Sequence, residues 1–305
     1  MDFKIFLKAV GTGPKGNRDL TLNESFEAIS QILNKEPTQA QIGAFLIAWR
    51  VKLETIEEFK GAIKALNSFI KYKEVPDSLM LGYNFDGRDT NPYLFPLYED
   101  ILDGFFKKNS DVRRLNLVIS GDLVQPTKNG ICTKDIFTKF DKGQYLHYFD
   151  RVEYLQELSE LTPLRREFGL RTAFNTVEKL LNPSLSEYGI CGAFHKPYVS
   201  KYIDMYRDDF KDITVVRGAE GDIEVFKDSK FWQKKDDQIV EFEFCLKDYG
   251  VNYSKVFENI TLEDNLNILK NYDDEILNLA KFNVALYLLF AKRVSSLDEA
   301  WQRLN

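Results

Sequence analysis

The chain has 305 residues, of which 44% are hydrophobic and 29% charged, and its formal net charge is −6. That length excludes one small core and predicts a large domain with a smaller companion. The acidic balance excludes a globally basic nucleic-acid binder, so any such contact needs a local patch. Three cysteines, Cys132, Cys191 and Cys245, lie far apart. They form neither a disulfide framework nor a zinc spacing and suit a reducing cytoplasm. The longest apolar run, Val284 to Ala291, has eight residues, too few to span a bilayer.

In chain order, the segment Gly11-Thr12-Gly13-Pro14-Lys15-Gly16-Asn17-Arg18 comes first. With Lys8 beside it, this glycine-rich run reads as a weak phosphate cradle, as a small basic patch for a nucleic-acid backbone, or as a connection between helices. Three helix starts follow at Thr21, Thr38 and Thr55, each with Glu or Gln three residues on. This is the capping-box pattern, in which the hydroxyl and the Glu or Gln side-chain oxygen accept from each other's backbone N–H groups. Apolar stripes at helical spacing run behind each start, such as Ile42, Phe45, Leu46 and Trp49. Helices this short are marginal alone and must pack on one another or on a second chain.

Beyond Pro76, a strand is expected over Leu79 to Phe85, entering the turn Asp86-Gly87-Arg88-Asp89-Thr90-Asn91-Pro92. Leu115 to Ile119, Gly189 to Ala193 and Ile213 to Val216 are further apolar runs separated by helical patterns, which argues a largely parallel sheet. Gln238 to Leu246 alternates like a half-exposed antiparallel strand. Helices are expected over Leu262 to Leu269 and Glu275 to Lys292.

Between these elements lies Leu164 to Pro183, LRREFGLRTAFNTVEKLLNP. Phe168, Leu170, Phe174, Val177 and Leu180 recur at roughly helical spacing, with Arg165 and Arg171 beside them. A buried Arg needs an acceptor. That acceptor is an interdomain carboxylate or the carboxylate or phosphate of a ligand, which a guanidinium takes in a two-pronged fashion. Glu220, Asp222 and Glu224 place three carboxylates in five residues, either a solvated turn or a site for a hard cation. The two histidines, His147 and His195, stand in no triad or metal spacing; His195 reads as structural.

The Leu164–Pro183 stretch resembles the anthranilate phosphoribosyltransferase segment VRKxLGIRTxFNxLGPLxNP, with Glu178-Lys179 in place of Gly-Pro. The run from Leu20-Thr21 to Glu54-Thr55 resembles that family's N-terminal helical block. The resemblance implies a small α-helical domain, residues 1–75 joined by helices around 165–185, packed on a larger α/β domain, 76–305, with a mainly parallel central sheet. It also implies a homodimer formed through the N-terminal helices.

Several family motifs are altered. The glycine-rich loop for phosphoribosyl pyrophosphate is replaced by Asp86, Gly87, Arg88 and Asn91. Ile119-Ser120-Gly121-Asp122 stands in place of Lys-His-Gly-Asn. Of the magnesium pair, Glu224 aligns with the glutamate, while Ile223 takes the aspartate position and Asp222 is displaced by one. Arg165 aligns with the arginine that holds the acceptor's carboxylate. This pattern resembles a divergent subgroup without the glycine-rich loop, some members of which bind nucleic acid. It implies a degenerate donor site and DNA or RNA contacts at Lys8, Lys15, Arg18 and Arg88, supported by Lys52, Lys128, Arg165 and Arg166. The alternative is a phosphoribosyltransferase acting on anthranilate or another aromatic acceptor, with Mg where phosphoribosyl pyrophosphate binds.

Overall fold

A computed structural model describes residues 1–83, 87–125, 127–140 and 143–305. Its first quarter is helical: α1 (Lys4–Gly11), α2 (Leu22–Leu33), α3 (Gln39–Lys52) and α4 (Ile56–Phe69). The expected capping boxes are formed at Thr21, Thr38 and Thr55, each Thr accepting from the N–H three residues on while that residue's side chain accepts in return. Helix α1 carries no such cap, which is why its start left no mark in the sequence. Helices α2 and α4 approach closely because Gly61 has no side chain; a Cβ there would lie 2.3 Å from the Leu22 carbonyl oxygen.

The remainder is built on seven strands: β1 (Ser78–Gly82), β2 (Asn116–Gly121), β3 (Leu146–Asp150), β4 (Tyr188–Gly192), β5 (Asp212–Val216), β6 (Ser229–Lys235) and β7 (Gln238–Phe244). Their order is β3-β2-β1-β4-β5-β6-β7. The first five are parallel, and β6 and β7 add an antiparallel hairpin on one edge. The hairpin turns through Asp236 and Asp237, both with positive φ, a conformation Asp tolerates better than most residues. β1 ends at Gly82, so the expected strand is shorter, and its last two expected residues, Asn84 and Phe85, lie outside the described residues.

Intervening helices are α5 (Tyr98–Lys108), α6 (Thr133–Phe137), α7 (Arg151–Tyr154), α8 (Gln156–Ser159), α9 (Thr162–Glu167), α10 (Phe174–Val177) and α11 (Pro197–Tyr206), with α12 (Leu262–Lys270), α13 (Asp274–Phe290) and α14 (Leu297–Leu304) closing the chain. The helical spacing across 164–183 does not make one helix. It is broken at Gly169, which adopts φ +59, and leaves only short turns on either side.

The sheet separates two cores. One face packs Leu79, Leu81, Leu117 and Ile119 against α5, α13 and α14. The other packs Met80, Val118, Cys191 and Val215 in a cluster continuous with Phe45, Trp49 and Leu66 of the helical bundle. The bundle therefore shares its apolar core with the sheet, and the carboxyl ends of the parallel strands open toward the junction.

Candidate functional site

Open α/β sheets place their ligands beyond the carboxyl ends of their strands. The described residues at those ends hold two buried ionic clusters. In the first, Arg88 is 1% exposed and its guanidinium bonds both Asp222 and Glu224, which are buried as well. Arg88 also donates to the Pro92 carbonyl at 2.9 Å and lies over the Tyr93 ring at 4.1 Å. The second oxygen of Glu224 accepts from Tyr83 (2.9 Å), Tyr98 (2.6 Å) and the Leu94 N–H (3.0 Å). Burial first, and the Glu224 charge second, hold the Tyr83 and Tyr98 hydroxyls well above their ordinary acidity range, so both remain donors. Gly87 permits the turn: it has φ +113, and a Cβ would strike the Asn129 carbonyl oxygen.

This arrangement corrects two expectations. Arg88 is not available to a nucleic-acid backbone, because it is buried and neutralised by the chain itself. Asp222 and Glu224 do not fit magnesium as folded, because a guanidinium already stands on both. Among the described residues, no group of three His, Cys, Asp or Glu side chains could hold a metal ion. Asp86 lies outside the described residues. Asn91 borders a cleft of about 340 Å³ together with Thr90, and its amide donates to the Thr90 hydroxyl at 3.1 Å.

The second cluster surrounds Glu178. Arg165 grips it with both terminal nitrogens at 2.9 Å and donates to Asn175 at 3.0 Å. Arg151, at the end of β3, also bonds Glu178 and reaches Asp122 at 2.7 Å. Burial opposes the Glu178 charge, yet Arg165 and then Arg151 hold its carboxyl below the ordinary range. Arg165 is fully buried, so its terminal nitrogens serve an internal carboxylate instead of facing a ligand. The sequence marked Arg165 as needing an acceptor; it did not reveal that Glu178, at a position where the resembling motif has glycine, is that acceptor, nor that Arg151 joins it.

The basic residues near the N-terminus divide. Lys8 and Lys15 are exposed and have no ionic partner among the described residues. Arg18 instead makes a two-pronged pair with Glu24 at 2.8 and 2.6 Å, which, led by that hydrogen bond, lowers the Glu24 carboxyl to about 2. Lys52 reaches Asp19 and the buried Glu58. Lys128 faces Glu220 at 3.7 Å, and the exposed Arg166 donates to the Val124 carbonyl.

A cleft of about 190 Å³ lies between bundle and sheet, lined by Arg50 of α3, by Arg171 and Lys179, and by Phe194, His195 and Tyr198 around the start of α11. The Lys179 ammonium is buried and donates to the Gly192 and Gly221 carbonyls at 2.9 and 3.1 Å. The Thr172 hydroxyl and the Asn175 amide nitrogen, both on this cleft, are buried without a hydrogen-bond partner. His195, read from the sequence as structural, is exposed at its mouth.

Residues 4–69 match the helical bundle domain of a glycosyl transferase family, and residues 144–305 match that family's a/b domain. The chain belongs to this glycosyl transferase family. Among its relatives, an uncharacterized protein of Aquifex aeolicus is 30% identical over 94% of this chain and 93% of its own length. An anthranilate phosphoribosyltransferase of Dehalococcoides mccartyi is 28% identical over 77% of this chain and 71% of its own. The fold is shared with the anthranilate phosphoribosyltransferase of Thermus thermophilus, with a TM-score of 0.78, 14% identity and coverage of 100% of this chain and 93% of that one. The Saccharomyces cerevisiae enzyme in complex with PRPP and Mg gives a TM-score of 0.77 at 15% identity, covering 99% and 92%. Membership thus agrees with the resemblance in the Leu164–Pro183 stretch and the N-terminal block, while the two ionic clusters mark where this member's own residues occupy the strand ends. No helix among the described residues is long and apolar enough to cross a membrane.

Proposed function

We propose that this chain is a family member whose phosphoribosyl pyrophosphate site no longer supports transfer, and that it acts as a cytoplasmic homodimer that binds nucleic acid. The observation that carries the reading is the Arg88 guanidinium on Asp222 and Glu224. A transferase needs a cation and donors aimed at a departing pyrophosphate; here the acidic pair is already neutralised from within. Nucleic-acid binding draws support from the exposed Lys8 and Lys15, and from the cleft where Arg50, Arg171 and His195 stand beside Phe194 and Tyr198. Cations that track phosphates, next to rings on which bases stack, are what a single strand requires.

The second reading is a phosphoribosyltransferase for anthranilate or another aromatic acceptor, favoured by the similarity to the Dehalococcoides mccartyi enzyme. Titrations of the purified protein separate the two. Phosphoribosyl pyrophosphate with magnesium is one ligand; labelled single- and double-stranded DNA are the others, each at low and high salt. The proposal expects salt-sensitive DNA binding and no saturable sugar-phosphate binding. Replacing Lys8 or Lys15 by Gln should each reduce the salt slope by about one. Saturable, magnesium-dependent binding of phosphoribosyl pyrophosphate would reverse the assignment.

A further inference from the structure

Strand β3 is an edge of the sheet. β2 pairs it on one side, and no strand among the described residues pairs it on the other. Leu117 of β2 donates to the Tyr145 carbonyl at 2.7 Å. Backbone groups alternate in direction along a paired strand, so His147 and Phe149 turn theirs toward β2, while Leu146, Tyr148 and Asp150 turn theirs outward. Glu99 takes the Leu146 N–H at 2.9 Å. The N–H and C=O of Tyr148 have no backbone partner among the described residues. An unpaired edge of this kind is a template for another strand.

A groove of about 260 Å³ runs along this edge and is lined by every residue of β3. Its walls come from opposite faces of the sheet: Val75 belongs to the core shared with the bundle, and Phe137 packs against the core on the other face. The groove therefore straddles the edge. Phe137 stacks on Tyr148 with ring centres 4.5 Å apart. Two polar atoms of the lining residues, His147 Nε2 and the Tyr148 hydroxyl, are buried without a hydrogen-bond partner. Burial first, and the Arg114 charge second, lower the His147 ring below its ordinary range, so it is neutral near neutral pH and has one nitrogen with which to accept.

The wall on the bundle side carries a charge pattern. Lys71, Lys73 and Val75 all line the groove, and their N–H groups are tied to the Tyr154, Pro183 and Ser184 carbonyls at 2.8, 3.0 and 3.0 Å. Alternate residues bonded in the same sense make an extended segment, in which side chains two positions apart stand about 7 Å from each other. Lys71 and Lys73 are exposed and have no ionic partner among the described residues. Asp150 is neutralised by Lys134 at 2.7 Å, so Glu153 is the one carboxylate of the lining left to oppose the two lysines.

We propose that the β3 edge is a docking groove for an extended acidic segment of a partner protein, which joins the sheet as a further strand. The backbone of that segment bonds the Tyr148 N–H and C=O. Carboxylates two residues apart face Lys71 and Lys73, and an apolar side chain next in the same row lies against Val75. A second copy of this chain does not fit, because its own β3 carries the same two walls, which meet before the edges do.

The test uses the full chain and two fluorescein-labelled octapeptides, one alternating glutamate with valine and the other alternating lysine with valine. Fluorescence anisotropy at low salt should show saturable binding of the glutamate peptide and at least about tenfold weaker binding of the lysine peptide. Lys71→Glu combined with Lys73→Glu, both on the exposed rim, should reverse that order. Amide exchange read by NMR should slow at the Tyr148 N–H by about tenfold or more under saturating glutamate peptide, a change that attraction between surface charges alone does not produce. The proposal is overturned if the glutamate peptide does not bind, or if it binds and leaves Tyr148 exchange unchanged. Loss of labelled-DNA binding in the double variant, with no peptide binding by wild type, would give the rim to nucleic acid instead. Self-association that protects Tyr148 without peptide would give the edge to a second copy. The groove shares no residue with the Arg88 and Glu178 clusters, so neither result bears on the reading of the strand ends.

Discussion

The helical bundle and the strand ends differ in how much buried charge they carry. In the bundle, Arg18 pairs with Glu24 at the surface and the Thr38 box uses the neutral Gln41, while Glu58 of the Thr55 box is the inward exception, buried on Lys52. At the strand ends, Arg88, Arg151 and Arg165 are fully or almost fully buried on Asp122, Glu178, Asp222 and Glu224. An exposed pair contributes little, because water and salt screen it. A buried pair contributes modestly as a pair but is costly to split, since one partner is left charged and dry. The bundle therefore rests mostly on small local terms, whereas the strand ends rest on a few that must be kept together.

Removing Arg88 should break this comparison most visibly if it is wrong. Arg88→Ala leaves Asp222 and Glu224 facing each other without a counterion, and should cost about 3–5 kcal/mol of stability in urea unfolding at pH 7. A loss no larger than that of a helix cap would mean that water has replaced the guanidinium and that the strand ends are no more demanding than the surface.

A smaller effect sharpens the contrast by pH. Asp209 sits where the sheet side meets α4, accepting from Asn67 at 2.7 Å, and burial raises its carboxyl to about 6. Its folded state holds the proton more tightly than the unfolded chain. The stability it contributes is therefore fully present below the ordinary carboxyl value near 4, and it is lost as the pH rises to about 6. Asp209→Asn should raise stability by about 1–2 kcal/mol at pH 8 and leave it unchanged at pH 3, as read from thermal unfolding across that range. A gain that persists at pH 3 would point to packing instead of charge.

The smallest effect belongs to the bundle. Thr38→Ala removes one cap from α3 and should cost about 1 kcal/mol in urea unfolding. It should do so without changing the pH dependence of stability.

The same contrast decides what could be read before the structure was known. Capping boxes are local: Thr21 and Glu24 are three residues apart and announce their bond in the sequence. The apolar runs that became β2, β4 and β5 are equally local, because a strand buried on both faces has to be apolar throughout. Arg88 and Asp222 are 134 positions apart, and nothing in either segment says that the other will meet it. Each element alone invited a ligand, an anion for Arg88 and a cation for Asp222 and Glu224, and together they satisfy each other. Arg165 was intermediate. Its need for an acceptor was legible, and Glu178 stood 13 residues away, but the apolar spacing did not say that the two would meet.

The Arg88 cluster also constrains how this chain could change over generations. A lineage that lost the guanidinium by a single substitution would pass through a protein burdened with two buried unpaired carboxylates, and one that first lost a carboxylate would strand part of the guanidinium instead. A metal-binding arrangement of the same carboxylates is therefore not a single downhill step away. It requires the arginine to leave while a divalent ion is already abundant enough to take its place, or a prior gain of stability elsewhere to cover the interval. An internal counterion of this kind works as a ratchet: while it is in place, single substitutions cannot free the two carboxylates for a metal ion without first destabilising the fold.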